Sequence, residues 1–385
     1  MNIKELDKLY IASTYNRFDI VAVSGKGSYV FDENGKKYID FGSGIGTLSF
    51  GIADDVWATA VGEQAKKLQH ISNFYYTEPA VHLAKALCEK TGLKKVFFSN
   101  SGAEANECAI KAARKYSQDK YGRERFKIAT LQNSFHGRTL TTLSATGQEH
   151  YHELFTPLTS GFVSVPAGDI SALEELIKDN TLAAVMIECV QGEGGVIALD
   201  GDYVKAVADF CDKNDVLLIT DEVQTGNGRT GKFYSYMNYG ITPDIVTTAK
   251  GLGGGLPIGA TVLGEKAENV FSFGDHGSTF GANPVCCAGA LTIVDRIDDK
   301  FLSEVKRKAD YIVSSLSDVK GITEISGLGL MIGLKTENPA REVVGRCMEN
   351  GLLCLTAKDK VRLLPALNIP DDLVKEAVDI IKKSL

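Results

Sequence analysis

A carboxylate and a lysine each follow a strand-like segment near the middle of the chain. Residues 216–220 form an unbroken apolar and β-branched run, which predicts a strand buried on both faces, and this run ends at Asp221 and Glu222. Residues 244–249 predict a second strand that leads directly into Lys250 and a glycine-rich turn. Because ligands of open α/β sheets lie beyond the carboxyl ends of the strands, parallel pairing would bring Asp221 and Lys250 to one crevice.

An amine and a carboxylate in one crevice suit the chemistry of pyridoxal phosphate. A lysine amine condenses with the aldehyde of that cofactor, and a carboxylate keeps the pyridine nitrogen protonated so that the ring withdraws electrons. Taken alone, Lys250 is also typical of a solvated surface lysine, and Asp221 of a turn cap at a strand end. The segments described next favour the cofactor site over these plainer interpretations.

The segment SNSGAEANE follows a predicted strand at residues 95–98 and opens a predicted helix that runs to about Lys115. Small residues and free backbone N–H groups at a helix N-terminus bind phosphate, aided by the positive end of the helix dipole. Ser101, Gly102 and Ala103 are therefore candidates to hold the phosphate of the cofactor. The alternative is that Ser101 is an ordinary helix N-cap.

Two further segments contribute candidate side chains. After a predicted strand at residues 127–131, a loop carries Phe135, His136 and Arg138. An aromatic ring can stack on a planar cofactor and an arginine can bind a carboxylate through two hydrogen bonds, although such a cluster also serves packing. Glu188 interrupts the apolar segment LAAVMIECV, and an acidic residue in so apolar a run is expected to be buried or paired.

The order of the predicted elements indicates an α/β fold. Strands and helices alternate from residue 95 to residue 263, which predicts a doubly wound, mainly parallel sheet. After residue 300 the pattern changes to a smaller α+β unit with a single strand in GLGLMIGLK, and we assign the hairpin predicted at Asn34-Gly35 to the same unit. The predicted boundaries are a small domain formed by residues 1–55 and 285–385, and a large cofactor-binding domain formed by residues 56–284.

Composition limits the partners and the compartment. The chain has 385 residues, 44% hydrophobic and 24% charged, with a net charge of −7 and no sustained basic cluster, which argues against nucleic acid or an anionic membrane as the main partner. No segment is long and apolar enough to span a bilayer, and the N-terminus lacks the order of a signal peptide. The cysteines lack a CxxC pair and the histidines lack metal-ligand spacing, so we predict a cytoplasmic protein without a metal.

Six segments occur in an order that resembles the class III aminotransferases among the fold type I pyridoxal phosphate enzymes. The resemblance covers almost the whole chain, and it implies the fold, the cofactor and transaminase activity. Two departures are Cys189, where a proline is usual, and a loop at residues 50–57 that lacks the usual histidine. The six segments are SGAEANE, FHGRT, QGEGG, DEVQTGNGRTG, the Lys250 segment and GSTFGANP.

The resemblance also implies a role for each matching residue. Lys250 is then the residue that binds the cofactor covalently and carries the proton, and Asp221 pairs with the pyridine nitrogen. Thr279 is implied to contact the phosphate bound by the neighbouring subunit, which requires a homodimer with composite sites, although a local turn explains the Ser-Thr pair equally well. The other implied cofactor contacts are Phe135 and Val223 on the two ring faces, His136 and Glu188 near the cofactor, Gln224 at the phenolic oxygen, and Ser101, Gly102 and Ala103 at the phosphate.

On the substrate side, Arg138 and Arg362 match the carboxylate-binding arginines of the family, and Glu193 matches its switch glutamate. Ser278 is assigned to the same side. Ile45 stands where ornithine aminotransferases have a tyrosine, and with SNFYYTEP it resembles the acetylornithine branch of the family.

The resemblance to this branch implies ping-pong transfer of the δ-amino group of N-acetylornithine to 2-oxoglutarate, a step of arginine biosynthesis. Donors of the same class remain alternatives: ornithine, succinylornithine, succinyldiaminopimelate and γ-aminobutyrate. A mutase, a decarboxylase and a non-catalytic cofactor-binding protein are further alternatives.

Overall fold

The computed structural model describes residues 1–385 and contains twelve helices and seventeen strands. No helix combines the length and the apolar character needed to cross a bilayer. The helices are α1 (Ile3–Tyr10), α2 (Ser43–Gly46), α3 (Asp55–Lys67), α4 (Glu78–Thr91), α5 (Gly102–Tyr121), α6 (Leu140–Ala145), α7 (Ile170–Leu176), α8 (Gly201–Lys213), α9 (Pro284–Arg296), α10 (Asp299–Leu316), α11 (Ala340–Glu349) and α12 (Asp371–Ser384).

The strands fall into one large sheet and three small ones. Those of the large sheet are β4 (Lys95–Ser99), β5 (Lys127–Leu131), β6 (Phe162–Val165), β7 (Leu182–Ile187), β10 (Leu217–Asp221), β11 (Ile245–Thr248) and β12 (Gly259–Leu263). The others are β1 (Ala22–Lys26), β2 (Tyr29–Asp32), β3 (Lys37–Asp40), β8 (Val190–Gln191), β9 (Ile197–Ala198), β13 (Ile322–Leu328), β14 (Met331–Thr336), β15 (Leu352–Leu353), β16 (Leu355–Ala357) and β17 (Lys360–Leu363).

The large sheet has the order β4-β12-β11-β10-β7-β5-β6, and β12 alone runs against its neighbours. Its central strands are apolar because both faces are covered. In β7, Val185 and Ile187 pack into the core on one side, whereas Ala184 and Met186 pack into the core on the other. The prediction of a mainly parallel, doubly wound sheet is confirmed.

A second core lies in the C-terminal part of the chain, where α10, α11 and α12 cover the sheet β13-β14-β17-β16. Both ends of the chain contribute to a further sheet, because β3 pairs in parallel with β15. Ile39 and Phe41 join the same core as the C-terminal helices. The domain boundaries given above remain a prediction.

Three local predictions differ from the structure. The strand predicted through Val190 ends at Ile187, because the carboxylate of Glu188 turns to the backbone N–H of Phe135 and the chain leaves the ladder. The helix predicted to end near residue 115 continues to Tyr121. The single strand predicted in GLGLMIGLK is a hairpin of β13 and β14, with Gly329 in the turn at φ 58°.

This hairpin turn is fixed to the loop that follows Asp221. The backbone N–H of Leu330 donates to the carbonyl oxygen of Arg229, and the buried guanidinium of Arg229 donates back to the carbonyl oxygens of Leu330 (3.1 Å) and Pro365 (2.5 Å). One buried arginine therefore links the loop beside β10 to the segment that follows β17. These contacts fix the two parts of the chain that enclose the site described below.

Gly329→Ala is expected to lower the free energy of unfolding by more than about 2 kcal/mol, because the cost of a left-handed backbone for alanine and the cost of a steric clash add together. A Cβ at Gly329 would lie 2.6 Å from the carbonyl oxygen of Arg229. The matched control is Gly345→Ala on α11, where a Cβ would meet nothing within 4 Å. This substitution should raise the free energy of unfolding by about 0.5–1 kcal/mol, because alanine favours the helix over glycine. Urea denaturation measures both changes, and similar effects at the two positions would contradict the prediction.

Candidate active site

A cavity of about 610 Å³ lies at the carboxyl ends of the parallel strands. Its walls come from the end of β10, the segment after β11, the N-terminus of α5 and the loop after β5. This is where an open α/β sheet binds its ligands. The predicted site residues that line it are Ser101, Gly102, Ala103, Phe135, His136, Arg138, Glu188, Asp221, Val223, Gln224 and Lys250.

Asp221 is the last residue of β10 and is buried. Its Oδ1 accepts a hydrogen bond from the backbone N–H of Val223 at 3.0 Å, and its Oδ2 lies 2.8 Å from both Asn106 Nδ2 and His136 Nδ1. Because an ionised carboxylate only accepts, the His136 proton belongs on Nδ1. Burial acts to lower the pKa of His136, but the carboxylate of Asp221 outweighs it and raises that pKa.

Lys250 directly follows the segment that carries β11 and adopts a left-handed backbone conformation, with φ 45°. This conformation is uncommon for a residue with a side chain and is found where the surroundings impose it. The amine lines the cavity and takes part in no hydrogen bond or ion pair within the chain. Burial lowers the pKa of Lys250, with the Glu193 carboxylate opposing the shift, so a larger fraction of the amine is uncharged and nucleophilic.

The N-terminus of α5 forms one end of the cavity. Ser101 caps the helix, its Oγ accepting from the backbone N–H of Glu104 at 3.2 Å. The first backbone N–H groups of a helix have no partner inside the helix, so those of Gly102 and Ala103 are available to an anion. Gly102 is also required sterically, because a Cβ there would lie 2.6 Å from Cγ1 of Val223.

The loop after β5 forms another wall. The backbone N–H of Phe135 donates to the Glu188 carboxylate at 2.8 Å, which fixes the aromatic ring on the cavity side. Burial raises the pKa of Glu188 to about 7. The Arg138 guanidinium lies 4.3 Å from the ring centroid of Tyr151 and has no carboxylate partner. Arg138 is thus a cation available to an anionic ligand.

Arg362 reaches the site from β17, in the C-terminal part of the chain. Its Nη1 donates to the Glu193 carboxylate at 2.5 Å and to the Gln224 side-chain oxygen at 3.1 Å. Gln224 Nε2 in turn donates to Glu193 at 3.2 Å. Burial alone would raise the pKa of Glu193, but Arg362 outweighs it and lowers that pKa, so Glu193 is held ionised.

Five predicted site residues do not line this cavity in the single chain: Arg362 and Glu193, which contact its lining residue Gln224, and Ile45, Ser278 and Thr279. Ile45 is half-exposed and borders a separate apolar pocket of about 390 Å³. The Ser278 hydroxyl accepts from Asn100 Nδ2 at 3.1 Å and from the backbone N–H of Gly281 at 2.9 Å, so it closes the surface loop on itself. Thr279 is exposed and makes no hydrogen bond within its own chain.

Sequence reasoning missed other lining residues, chiefly Tyr15, Thr47 and Asn106. Tyr15 carried no recognisable signal, because it lies in an irregular segment far from the motifs, whereas Thr47 lies in the glycine-rich loop of residues 42–51, which the sequence indicated as a possible site wall through Ile45. Asn106 carried one: it is a polar residue on the buried face of α5, among Ala105, Cys108 and Ala109. A buried polar group of this kind calls for a partner.

These features together fit pyridoxal phosphate. An amine without a partner, a buried carboxylate that accepts three hydrogen bonds and a helix N-terminus line one cavity. When bound, the cofactor supplies an aldehyde that takes up an amino group and a ring that withdraws electrons. The residues that would hold it are Lys250, Asp221, Phe135, Val223, Gln224 and the start of α5.

The fold and the site define an enzyme of the pyridoxal phosphate-dependent transferase class. A model of the family Aminotransferase class-III matches residues 10–385, and the chain belongs to this family. It is 51% identical over 385 residues to the acetylornithine aminotransferase of Haemophilus ducreyi, covering 100% of this chain and 98% of that protein. It is 47% identical over 390 residues to the acetylornithine aminotransferase of Methanocaldococcus jannaschii, covering 99% and 96%.

Solved structures agree with this family. An N-acetylornithine aminotransferase from Stenotrophomonas maltophilia matches with a TM-score of 0.85 and 32% identity, covering 99% of this chain and 97% of that one. The ornithine aminotransferase of Toxoplasma gondii, which holds pyridoxal phosphate at its active site at partial occupancy, matches with a TM-score of 0.92 and 33% identity, covering 99% and 93%. The predicted fold and class of enzyme are confirmed.

Gly102→Ala is expected to weaken cofactor binding by about 1–3 kcal/mol, the usual cost of overpacking, because the added methyl displaces Val223. The control is Gly62→Ala on α3, where a Cβ would meet nothing within 4 Å. Titration of cofactor-free enzyme with pyridoxal phosphate, followed by fluorescence, measures both dissociation constants. Equal constants for the two variants would contradict the assigned role of Gly102.

Proposed function

We propose that the chain is a transaminase that moves the δ-amino group of N-acetylornithine to 2-oxoglutarate by a ping-pong mechanism. Relatives that share 40–51% identity over nearly their whole length carry the name acetylornithine aminotransferase, which supports this choice of donor. The geometric observation that carries the proposal is the presence of two arginines in different states, Arg138 free and Arg362 paired with Glu193.

Lys250 is assigned two tasks. Its amine would attach the aldehyde cofactor, and once the substrate amine has displaced it, the freed Nζ would take a proton from the substrate carbon that bears the amino group and return it during transfer. Both tasks need an uncharged amine, and burial lowers the pKa of Lys250 in that direction. The absence of a hydrogen-bond partner leaves Nζ free to approach the substrate carbon.

Asp221 is assigned to the pyridine nitrogen. Three donors hold its carboxylate in one orientation, and a carboxylate so placed keeps the ring nitrogen protonated. Phe135 and Val223 are assigned to opposite ring faces and Gln224 to the phenolic oxygen. His136 and Glu188 are assigned to positions near the cofactor, and Glu188 also fixes the backbone of Phe135.

The two arginines account for two substrates of different shape. The reacting amine of acetylornithine is far from its α-carboxylate, whereas that of glutamate is beside its α-carboxylate. We assign Arg138 to the carboxylate of acetylornithine and Arg362 to the α-carboxylate of glutamate. An unpaired Arg362 beside the δ-carbon of acetylornithine would be a costly buried charge, and Glu193 neutralises it.

One residue, Ile45, favours N-acetylornithine over ornithine as the amino donor. Ile45 is apolar, whereas a tyrosine at this position is assigned to the ornithine head group by resemblance. Ile45 borders an apolar pocket in the single chain and offers no hydrogen bond to a free α-amine. Acylation removes the positive charge of that amine, so the apolar Ile45 favours an acylated substrate.

We also propose a homodimer with composite sites. Phe74, Tyr76 and Phe273 are large apolar side chains that are almost fully exposed, which supports association through these segments. Asn73 Nδ2 donates to the carbonyl oxygens of Ser278 (3.0 Å) and Gly281 (2.9 Å), so the loop that carries Thr279 is held to the segment that carries Phe74 and Tyr76. All eight cysteines are unpaired, which supports a reducing compartment such as the cytoplasm.

A donor panel tests the substrate. With 2-oxoglutarate as acceptor, acetylornithine is expected to give the highest kcat/KM among acetylornithine, succinylornithine, ornithine, γ-aminobutyrate and succinyldiaminopimelate. Lys250→Ala, the control, should turn over none of them. Acetylornithine without acceptor should yield one equivalent of aldehyde per site, because the enzyme retains the amino group. Higher kcat/KM for another donor would overturn the substrate, and the absence of that single equivalent would overturn transamination.

Glu193→Ala is expected to slow the acetylornithine half-reaction more than the glutamate half-reaction, because Arg362 is then left unpaired when the first donor binds. Arg362→Ala should have the opposite preference, because glutamate loses its carboxylate partner. Single-turnover kinetics of each half-reaction measures both variants. Equal losses in both half-reactions for both variants would show that Glu193 does not act as a switch.

Thr279→Ala is expected to weaken cofactor binding by about 1–3 kcal/mol, the range for a lost hydrogen bond to a charged group, without changing the stability of the cofactor-free chain. Thr323→Ala, at another exposed threonine, is the control. Cofactor titration measures the affinity, urea denaturation measures the stability of the cofactor-free chain, and sedimentation at assay concentration measures the oligomeric state. An active monomer would refute the shared site.

A further inference from the structure

Asn106 lies on the buried face of α5 and lines the cavity. Its Nδ2 donates to two acceptors, the carbonyl oxygen of His136 at 2.7 Å and Asp221 Oδ2 at 2.8 Å. Its own Oδ1 is buried and has no donor. The amide therefore uses its nitrogen fully and leaves its oxygen unsatisfied.

Helix formation does not explain this residue. The neighbours of Asn106 on the buried face include Ala105, Cys108 and Ala109, and an alanine would suit the helix better. A buried acceptor without a donor is destabilising, and such groups are rare enough in folded proteins to require a reason. The nitrogen supplies one, because it reaches the carboxylate that the site depends on.

The arrangement around Asp221 is built from three separate elements. Asn106 approaches Oδ2 from α5, His136 approaches the same oxygen from the loop after β5, and the backbone N–H of Val223 donates to Oδ1. Asn106 Nδ2 also donates to the backbone carbonyl of His136, so Asn106 fixes both Asp221 and His136, the second side chain that donates to Asp221. Loss of Asn106 would release two of the three contacts from their present geometry.

We propose that Asn106 is a positioning residue that holds the Asp221 carboxylate in a fixed orientation, aimed at the cofactor nitrogen. This inference rests on the proposed role of Asp221. Asn106 lies about one turn beyond Ser101 and Gly102, which line the phosphate end of the cavity. A single rigid helix thus holds the phosphate at its N-terminus and the acid from its next turn, so that the two ends of the cofactor are anchored in a fixed relation.

The test compares Asn106→Ala with Asn238→Ala, a matched asparagine whose Nδ2 also serves two acceptors but which does not line the cavity. In Asn106→Ala, both half-reactions should slow by a similar factor, about 10- to 150-fold, which corresponds to the loss of one hydrogen bond to a charged group. KM should change little for either substrate. Asn238→Ala should leave the rates unchanged.

A second readout does not depend on activity. In the cofactor-free enzyme, the NMR resonance of the His136 Nδ1 proton should move in Asn106→Ala and stay in place in Asn238→Ala, because only the first variant frees the backbone of His136. Unchanged half-reaction rates together with an unmoved resonance would overturn the proposal. A slowing confined to one half-reaction would also overturn it, because Asp221 serves both.

Asn106→Asp keeps the size of the side chain and separates packing from charge. Two carboxylates so close cannot both ionise, so the pair would share one proton, and both half-reactions should slow at least as much as in Asn106→Ala. Near-normal rates in Asn106→Asp would overturn the proposal. If the wild-type enzyme fails to transaminate, the proposed function fails, whereas the His136 resonance still decides whether Asn106 organises the carboxylate.

Discussion

Parallel pairing of β10 with β11 is the constraint on which the site depends. The register places Asp221 opposite Thr247, so the chain has only a short distance to run beyond the sheet before it reaches Lys250. The strand pair is buried on both faces, and neither strand can slip without exposing its apolar residues. The distance between acid and amine is therefore set by the same burial that stabilises the sheet, and the loops around them need only supply the remaining contacts.

Hydrogen bonding within the chain distinguishes the two buried carboxylates, Asp221 and Glu222, from the reactive lysine. Glu222, the neighbour of Asp221, is fully enclosed and satisfied by Ser235, Thr225 and the backbone of Tyr236. Successive residues of a strand point to opposite faces, so the two adjacent acids have different roles. Glu222 stabilises the loop that follows, and Asp221 faces the cavity. Lys250 contrasts with both, because its amine lines the cavity without a partner.

Much of this site could be predicted from the sequence because its main residues sit at the ends of strongly patterned segments. Asp221 and Lys250 follow apolar runs whose burial is evident, and Ser101 marks a helix start. The contribution of Asn106 was not predictable in the same way. Helical periodicity places it on the buried face, but only the tertiary fold brings residue 221 to that face. The β13–β14 hairpin was missed because Gly329 occurs among several glycines and its turn conformation depends on contact with Arg229.

The proposed switch requires that Glu193, rather than Arg362, be the partner that moves. The side chain of Glu193 is 26% exposed and that of Arg362 is 4% exposed, so Glu193 can leave towards water whereas Arg362 cannot. Glu193 also lies in a glycine-rich loop in which Val196 holds a left-handed conformation at φ 55°, uncommon for a β-branched residue. Departure of Glu193 leaves Arg362 only its neutral bond to Gln224 until a substrate carboxylate arrives. Selection between the two substrates is then an exchange of one carboxylate for another at a fixed guanidinium. The free-energy cost of this exchange is the difference between the energies of two ion pairs, and not the full cost of burying an unpaired charge.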